Sequence, residues 1–129
     1  EDSEKEFVVF ERNYLSSLSH SYAVGQLCGN NAMYKEVYKW YNDNINKRIV
    51  YPDIYIIFDL NIEMSLERIE KRNASVANEI WIDAEYMKLC EKYKEEFLKK
   101  NKKHFEVHRI DASKDIDSIY SEVLSILGL

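Results

Sequence analysis

The residues with the plainest chemical potential are Glu11 and Arg12, which follow directly on the apolar run Phe7-Val8-Val9-Phe10. Such a run reads as a short strand buried on both faces, as inside a parallel sheet. Open α/β sheets place their ligands at the carboxyl ends of such strands. Arg12, held at a strand–helix junction, suits a cation aimed at a phosphate, and Glu11 beside it suits a metal-bound water. A second pair of cations, Arg68 and Arg72, stands four residues apart. That spacing puts both on one helical face, within reach of one phosphate chain. Each pair has a plain alternative: an ordinary Glu-Arg pair at a strand end, and two solvated surface arginines. Two residues make a weak motif, so the weight falls on the elements that must position them.

Glu1 to Glu6 is an acidic lead-in to the first strand. After the Glu11–Asn13 junction, Leu15, Leu18, Tyr22 and Gly25 recur at helical spacing up to about Cys28, and Gly29-Asn30-Asn31 breaks the pattern. Between about Ala32 and Lys47, the residues Tyr34, Val37, Tyr38, Tyr41 and Ile45 follow the spacing of an amphipathic helix. Pro52 leads into the strongest strand signal, Asp53 to Asp59, apolar and β-branched enough to predict a central strand. Asn61 can cap a helix that packs through Met64, Leu66 and Ile69 and ends at Arg72. Asn73 to Trp81 breaks the pattern and predicts a mobile loop. From about Asp83 a long helix carries Tyr86, Leu89, Cys90, Tyr93 and Phe97 on one face, and Lys99, Lys100, Lys102 and Lys103 close it favourably for its dipole. Phe105 to Ile110 predicts a third strand. Asp115 begins a last helix with Ile116, Ile119, Tyr120, Val123 and Leu127 expected inward. Strands separated by helices predict an α/β fold, a three-layer parallel sheet with flanking helices and right-handed crossovers.

With 129 residues and 46% hydrophobic content, the chain supplies one core, a single domain or part of one. A net charge of −5 argues against a nucleic-acid polymer or a membrane surface as partner. Cys28 and Cys90 each fall in a predicted helix and read as small core residues in a reducing compartment. No apolar run approaches the ~20 residues of a membrane span, and no signal-peptide pattern opens the chain. The expected address is the cytoplasm.

Taken together, these features resemble the deoxynucleoside kinase and thymidylate kinase branch of the P-loop nucleoside and nucleotide kinases. FERNYLSSLSHSYA looks like the F-E-R-S segment of the deoxynucleoside kinases, or the D-R-Y-x-x-S of the thymidylate kinases. PDIYIIFDLNIEMSLERIEKR looks like the family's strand-and-helix block ending in R-I-x-x-R, and IDAEYMKLCEKYKEEFL is similar to the helix after its lid. The resemblance implies a transferase that moves the γ-phosphate of ATP, with Mg2+, to the hydroxyl of a small-molecule nucleoside or nucleotide. Such catalysis is positioning plus electrostatic stabilisation. By the same resemblance Glu11 would help hold magnesium, and Arg12 would touch the acceptor or the transferred phosphate. Arg68 and Arg72 would be lid arginines, acting as the loop from Asn73 to Trp81 closes and excludes water. Asp111, Ala112 and Ser113 match the loop against the adenine. Ser16, Ser17, Ser21 and Tyr22 fall near the acceptor base. Trp40 and Tyr41 resemble an aromatic pair of the family, although core packing at helical spacing accounts for them better. Dimers are common in the family resembled, and the tyrosine-rich second helical segment suits a homodimer interface by analogy.

The departures are informative. The sequence holds no G-x-x-x-x-G-K-[ST] segment, and Gly25, Gly29 and Gly128 cannot form one. In the family resembled, the general base lies upstream of Glu1, and the phosphate-loop strand lies between the strands at Phe7 and Ile54. Without it two strands lack a neighbour. The expectation is therefore that residues 1–129 are the carboxyl-terminal two-thirds of a kinase domain, inactive alone. Asn13 replaces the usual Ser or Tyr. Ser17 aligns with a base-reading Asp, and Ser21 falls near a stacking Phe. Ala74, Ser75, Val76 and Ala77 stand where the lid carries a further arginine and glutamates. Three alternatives remain open: a nucleoside monophosphate (thymidylate) kinase, a non-catalytic kinase-shaped binding or assembly subunit, and a small α/β domain without phosphate chemistry.

Overall fold

Local signals decide where the helices begin and end in the computed structural model, which describes residues 6–72 and 83–129. Helix α1 (Tyr14–Cys28) starts on Asn13, whose side-chain oxygen accepts from the Leu15 N–H, and it stops at Gly29 in the left-handed conformation, φ 69°. Helix α2 (Ala32–Asn44) folds back against α1. A Cβ on Gly25 would stand 2.8 Å from the Asn31 side-chain oxygen and 3.0 Å from the Asn30 carbonyl, so a larger residue would have to push this turn outward. Strand β1 spans Ile54–Asp59 and leads to α3 (Ile62–Arg72), where the Asn61 side chain accepts from the Met64 N–H at 2.8 Å. Helix α4 (Ala84–Lys100) is capped by Asp83, which accepts from the Glu85 and Tyr86 N–H groups, and Lys99 and Lys100 occupy its last turn. Strand β2 (Glu106–Asp111) and helix α5 (Ile116–Ile126) complete the order.

Strands β1 and β2 pair in parallel, in register from Ile54 opposite Glu106 to Asp59 opposite Asp111. Alternation along β1 turns Tyr55 and Ile57 to one face. There, with Val107, they pack on a core of Leu15, Leu18, Tyr41, Phe97, Leu98 and Phe105. The core draws α1, α2 and α4 onto the sheet, largely through rings: Tyr41 lies 5.2 Å from Tyr14 and 5.8 Å from Phe97, and Phe105 lies 4.7 Å from Tyr55. Buried phenols need partners for their hydroxyls. Tyr34 meets Tyr93 at 3.0 Å, Tyr41 meets Tyr51 at 2.7 Å, and Tyr51 donates to Asn101. Burial pushes the phenols of Tyr14, Tyr41 and Tyr93 well above the ordinary tyrosine range.

Several expectations are corrected. Phe7 to Phe10 forms no strand; Val8, Val9 and Phe10 are 80%, 79% and 75% exposed. A strand needs a hydrogen-bonded neighbour, and none is present for this run among the described residues. The same cause leaves β1 short of a central position. It pairs on one edge only, and none of its residues is fully buried. The sheet is therefore a two-stranded parallel pair with flanking helices among the described residues, not the broader layered sheet expected. Ile116 and Tyr120 of α5, expected inward, are exposed; among the described residues α5 packs chiefly against β2, and that contact leaves both side chains uncovered. Cys28 is exposed and Cys90 half-buried, so only the second approaches a core role. The acidic lead-in up to Lys5 and the loop from Asn73 to Trp81 lie outside the described residues. No helix of the described residues is long and apolar enough to cross a membrane.

Two outcomes test this packing. Leu18 is fully buried, and Leu18→Ala is expected to lower unfolding free energy by about 2–5 kcal/mol, read from urea titration. The tyrosines set the alkaline limit. A phenol whose folded pKa is raised keeps its proton longer when folded, so its contribution is complete below the unfolded value of 10.0 and is lost as pH rises through the folded one. Urea midpoints should hold steady up to about pH 10 and fall above it; a midpoint that rises above that pH would contradict the buried-phenol core.

Candidate functional site

Asn13 fixes the junction that carries Glu11 and Arg12. Its side-chain oxygen caps α1 through the Leu15 N–H at 2.9 Å, and its amide nitrogen donates to the Tyr55 hydroxyl at 2.8 Å. One residue later the Tyr14 hydroxyl donates to the Val50 carbonyl at 3.1 Å. Tyr55 is the second residue of β1, so the junction is tied to the amino end of that strand. A cleft of about 780 Å³ opens at this place. Phe10, Val37, Trp40, Ile49, Val50 and Pro52 give it apolar walls, and Arg12, Asn13, Tyr14, Ser17, Glu36 and Arg48 give it polar groups. The lining thus carries two arginines and one glutamate, on a chain whose net charge is −5. Apolar walls with a few convergent polar groups are the usual make-up of a small-molecule site.

The structure brings some of the sequence candidates together and separates others. Arg12 and Ser17 share the cleft, Arg12 just before the cap of α1 and Ser17 in its first turns. Glu11 is exposed, next to Arg12 in the chain, and is not among the residues that line the cleft. Ser16 is half-buried, with its carbonyl taken by the Ser19 hydroxyl. Ser21 is buried in α1 and donates to the carbonyls of Ser17 and Leu18, so it faces no cleft. Tyr22 packs its ring on Tyr34 and Tyr93, in the interface of α1, α2 and α4. Arg68 is exposed on α3, and the side chain of Arg72 lies outside the described residues. Asp111, Ala112 and Ser113 sit at the carboxyl end of β2, the end of the sheet opposite the cleft. Hydrogen bonds from the Ser113 N–H and hydroxyl hold the Asp111 carboxyl below its ordinary range. Nearby, Arg109 bridges Asp59 at 3.1 Å and Glu95, tying the sheet to α4. The expected placement of the Glu11–Asn13 junction at the carboxyl end of a paired strand is thus corrected: with no strand at Phe7–Phe10, the junction settles against the start of β1.

Three residues of the cleft were not anticipated. Trp40 was assigned to the core beside Tyr41, yet Tyr41 alone is buried and Trp40 stands 50% exposed in the cleft wall. Helical spacing could have separated them, since neighbours on a helix point about a quarter-turn apart. Glu36 looked like any residue on the polar face of α2. Arg48 lies in a connection whose only warning was its brevity: the Arg48 N–H donates to the Asn44 carbonyl at 2.9 Å, and Asn46 turns the chain at φ 62°.

A family model described as deoxynucleoside kinase matches residues 2–127, nearly the whole chain. The chain belongs to the deoxynucleoside kinase family. Among curated proteins and among solved structures, none matches it significantly. Kinases of this family act through small-molecule nucleosides, which agrees in kind with a cleft of this size and lining. A metal held directly by several side chains is a different matter. Among the described residues no group of three or more His, Cys, Asp or Glu side chains converges.

Farther along α1, the ring of His20 hydrogen-bonds the Tyr86 hydroxyl at 2.7 Å and joins α1 to the first turn of α4. Burial pushes that phenol up to about 12, slightly relieved by the positive charge of Arg12. The junction that carries Arg12 is therefore anchored by Asn13 at the sheet, and α1 is joined separately to α4 through His20 and Tyr86. Asn13→Ala should cost about 0.5–2 kcal/mol of stability in urea titration, whereas Asn13→Asp, which keeps the capping oxygen, should recover most of it. Equal losses from both would mean that the bond to Tyr55, not the cap, carries the junction.

Proposed function

We propose that the protein is the acceptor-binding part of an ATP-dependent deoxynucleoside kinase whose phosphate-binding segment lies outside these 129 residues. The observation that carries this reading is the convergence of Arg12, Ser17 and Trp40 on one cleft, in a chain of the deoxynucleoside kinase family. The Trp40 ring and the Val37 side chain offer a flat apolar wall for a nucleobase. Ser17 supplies a hydroxyl for a polar edge of the base or sugar, and Arg12 holds the charge that accumulates at the acceptor oxygen during transfer.

The magnesium donor set fits only in part. Mg2+ in such sites keeps several waters and takes one or two carboxylates together with substrate phosphates, and Glu11 supplies one exposed carboxylate beside Arg12. Bound there, the ion would neutralise charge on the phosphates. The triphosphate of ATP is not accommodated by the residues present. The sequence holds no phosphate loop, and Asp111, Ala112 and Ser113, proposed for the adenine, lie across the sheet from Arg12. Arg68 and Arg72 are proposed to act with the lid in the assembled enzyme. The 129 residues are therefore assigned acceptor binding, and phosphoryl transfer is assigned to the complete kinase.

The test is binding followed by turnover. Titrating the purified chain with the four deoxynucleosides and their 5′-monophosphates should quench Trp40 fluorescence and raise the melting temperature. Trp40→Phe serves as the spectral control. Absence of any binding up to about 1 mM would overturn the reading. Phosphate transfer from ATP by the 129-residue chain itself would overturn the assignment of the phosphate-binding segment to somewhere else.

A further inference from the structure

The lysines that close α4 exceed what the helix needs. A helix end gains from cations only within its last turn, and Lys99 and Lys100 already stand there. Lys102 and Lys103 lie beyond it, in a short 3-10 turn, Lys102–His104. All four side chains are exposed, and among the described residues none has a carboxylate within ion-pair distance. Neighbouring carboxylates are engaged elsewhere: Glu95 holds Arg109, and Glu106 bonds the ring of His108 at 3.1 Å. Four cations within five consecutive residues repel one another, in a molecule that is otherwise net negative.

The backbone beneath them is fixed. Asn101 caps α4, and its N–H and side-chain amide both donate to the Phe97 carbonyl, at 3.1 and 3.0 Å. Its side-chain oxygen accepts from the Tyr51 hydroxyl at 3.3 Å, and its carbonyl accepts from the His104 N–H at 2.9 Å. The His104 ring lies flat on Tyr51, with centroids 4.4 Å apart and planes 8° from parallel. Phe97 and Leu98 on one side and Phe105 on the other anchor the segment in the core. The lysines are thus carried on one rigid corner before β2, and a partner that meets them loses little entropy in ordering the chain beneath.

Rigidity and composition together select the partner. The corner holds lysines and no arginine, so it offers point charges and not the planar forks that match phosphate groups. It exposes no large apolar side chain, and its one ring, His104, already has a face covered by Tyr51. An interfacial membrane contact draws on apolar residues, and single-stranded nucleic acid draws on free ring faces. Both also present an extended negative field to a net-negative molecule. A short run of carboxylates needs only the local charge.

We propose that the corner from Lys99 to Lys103 is a docking surface for an acidic segment of a partner protein, seated by charge pairing with the four lysines.

Fluorescence anisotropy with a labelled peptide of glutamates only, at low and at moderate salt, tests this. Reversing the two lysines beyond the helix, Lys102→Glu with Lys103→Glu, should weaken binding roughly tenfold or more, and added salt should weaken it for the unaltered protein. Lys102→Gln with Lys103→Gln should fall between the two. Lys35→Glu with Lys39→Glu makes the same change of net charge on the exposed face of α2 and should leave affinity within about twofold. Unchanged melting temperatures of these variants keep folding out of the comparison. Equal losses from the reversals on the corner and on α2 would show that net charge alone is sensed, and would overturn the proposal. So would tighter binding of an oligothymidylate or of phosphatidylserine vesicles than of the peptide, or no peptide binding up to about 1 mM.

Discussion

The structure depends on a cluster of aromatic rings that closes between helices and sheet. Tyr14, Tyr41 and Phe97 meet from three different helical segments, and Phe105 joins them to Tyr55 on the first strand. Rings bury much apolar area for few rotatable bonds, so they hold a small core together at modest entropic cost. Here most of them are phenols, and the choice has a second effect. Each hydroxyl must find a partner once the ring is buried, as Tyr41 does with Tyr51 and Tyr34 with Tyr93. Sliding one helix by a turn would leave those groups unpaired in an apolar setting, a cost of about 1–3 kcal/mol each. The aromatic core therefore specifies one docking of α1, α2 and α4 as well as stabilising it.

That docking is what gives the cleft its shape. Asn13 couples the cap of α1 to Tyr55 on the sheet, and Tyr14 couples the same junction to Val50. Arg12 is thereby set by the bonds of the two residues that follow it, while α2 contributes Trp40 and Val37 to the cleft lining. The two sides are held together by the same packing of Tyr14 on Tyr41 that organises the core. The far end of the sheet is secured separately, through the Arg109 contacts with Asp59 and Glu95. One end of the molecule is built to hold a shape around a cavity and the other to tie strands to a helix.

What could be read from the amino-acid sequence follows the range of the interactions involved. Asp83 and Asn61 were legible as helix starts because a cap is a matter of three or four consecutive residues. The strands at Ile54–Asp59 and Glu106–Asp111, and the five α-helices of the described residues, were legible from composition and spacing within each segment. The nearness of Arg12 and Ser17 in space was legible because they lie at the entry and in the first turns of one helix. The misplacements concern residues whose surroundings come from elsewhere. Phe7 to Phe10, Ile116 and Tyr120 are apolar, which declares a tendency to be buried but not the presence of the surface that would bury them. Trp40 and Arg48 reach the cleft only because a helix and a turn, distant in sequence from Arg12, fold back upon it. No local pattern encodes that return.

The open edge of β1 bears on how the chain comes to be made. The segment Ile54 to Phe58 is apolar and β-favouring, with no proline, no lysine and no charge before Asp59, a composition prone to intermolecular stacking. Its partner among the described residues, Glu106–Asp111, lies well downstream in the chain and so emerges later during synthesis. Until then the edge that meets β2 lies open, and among the described residues nothing pairs with the other edge. The parallel pair, closed across so long a stretch of chain, is slow to form. The burden of keeping the nascent chain from its neighbours thus rests on the helices α1 and α2, made earlier, whose aromatic faces can cover β1 while it waits.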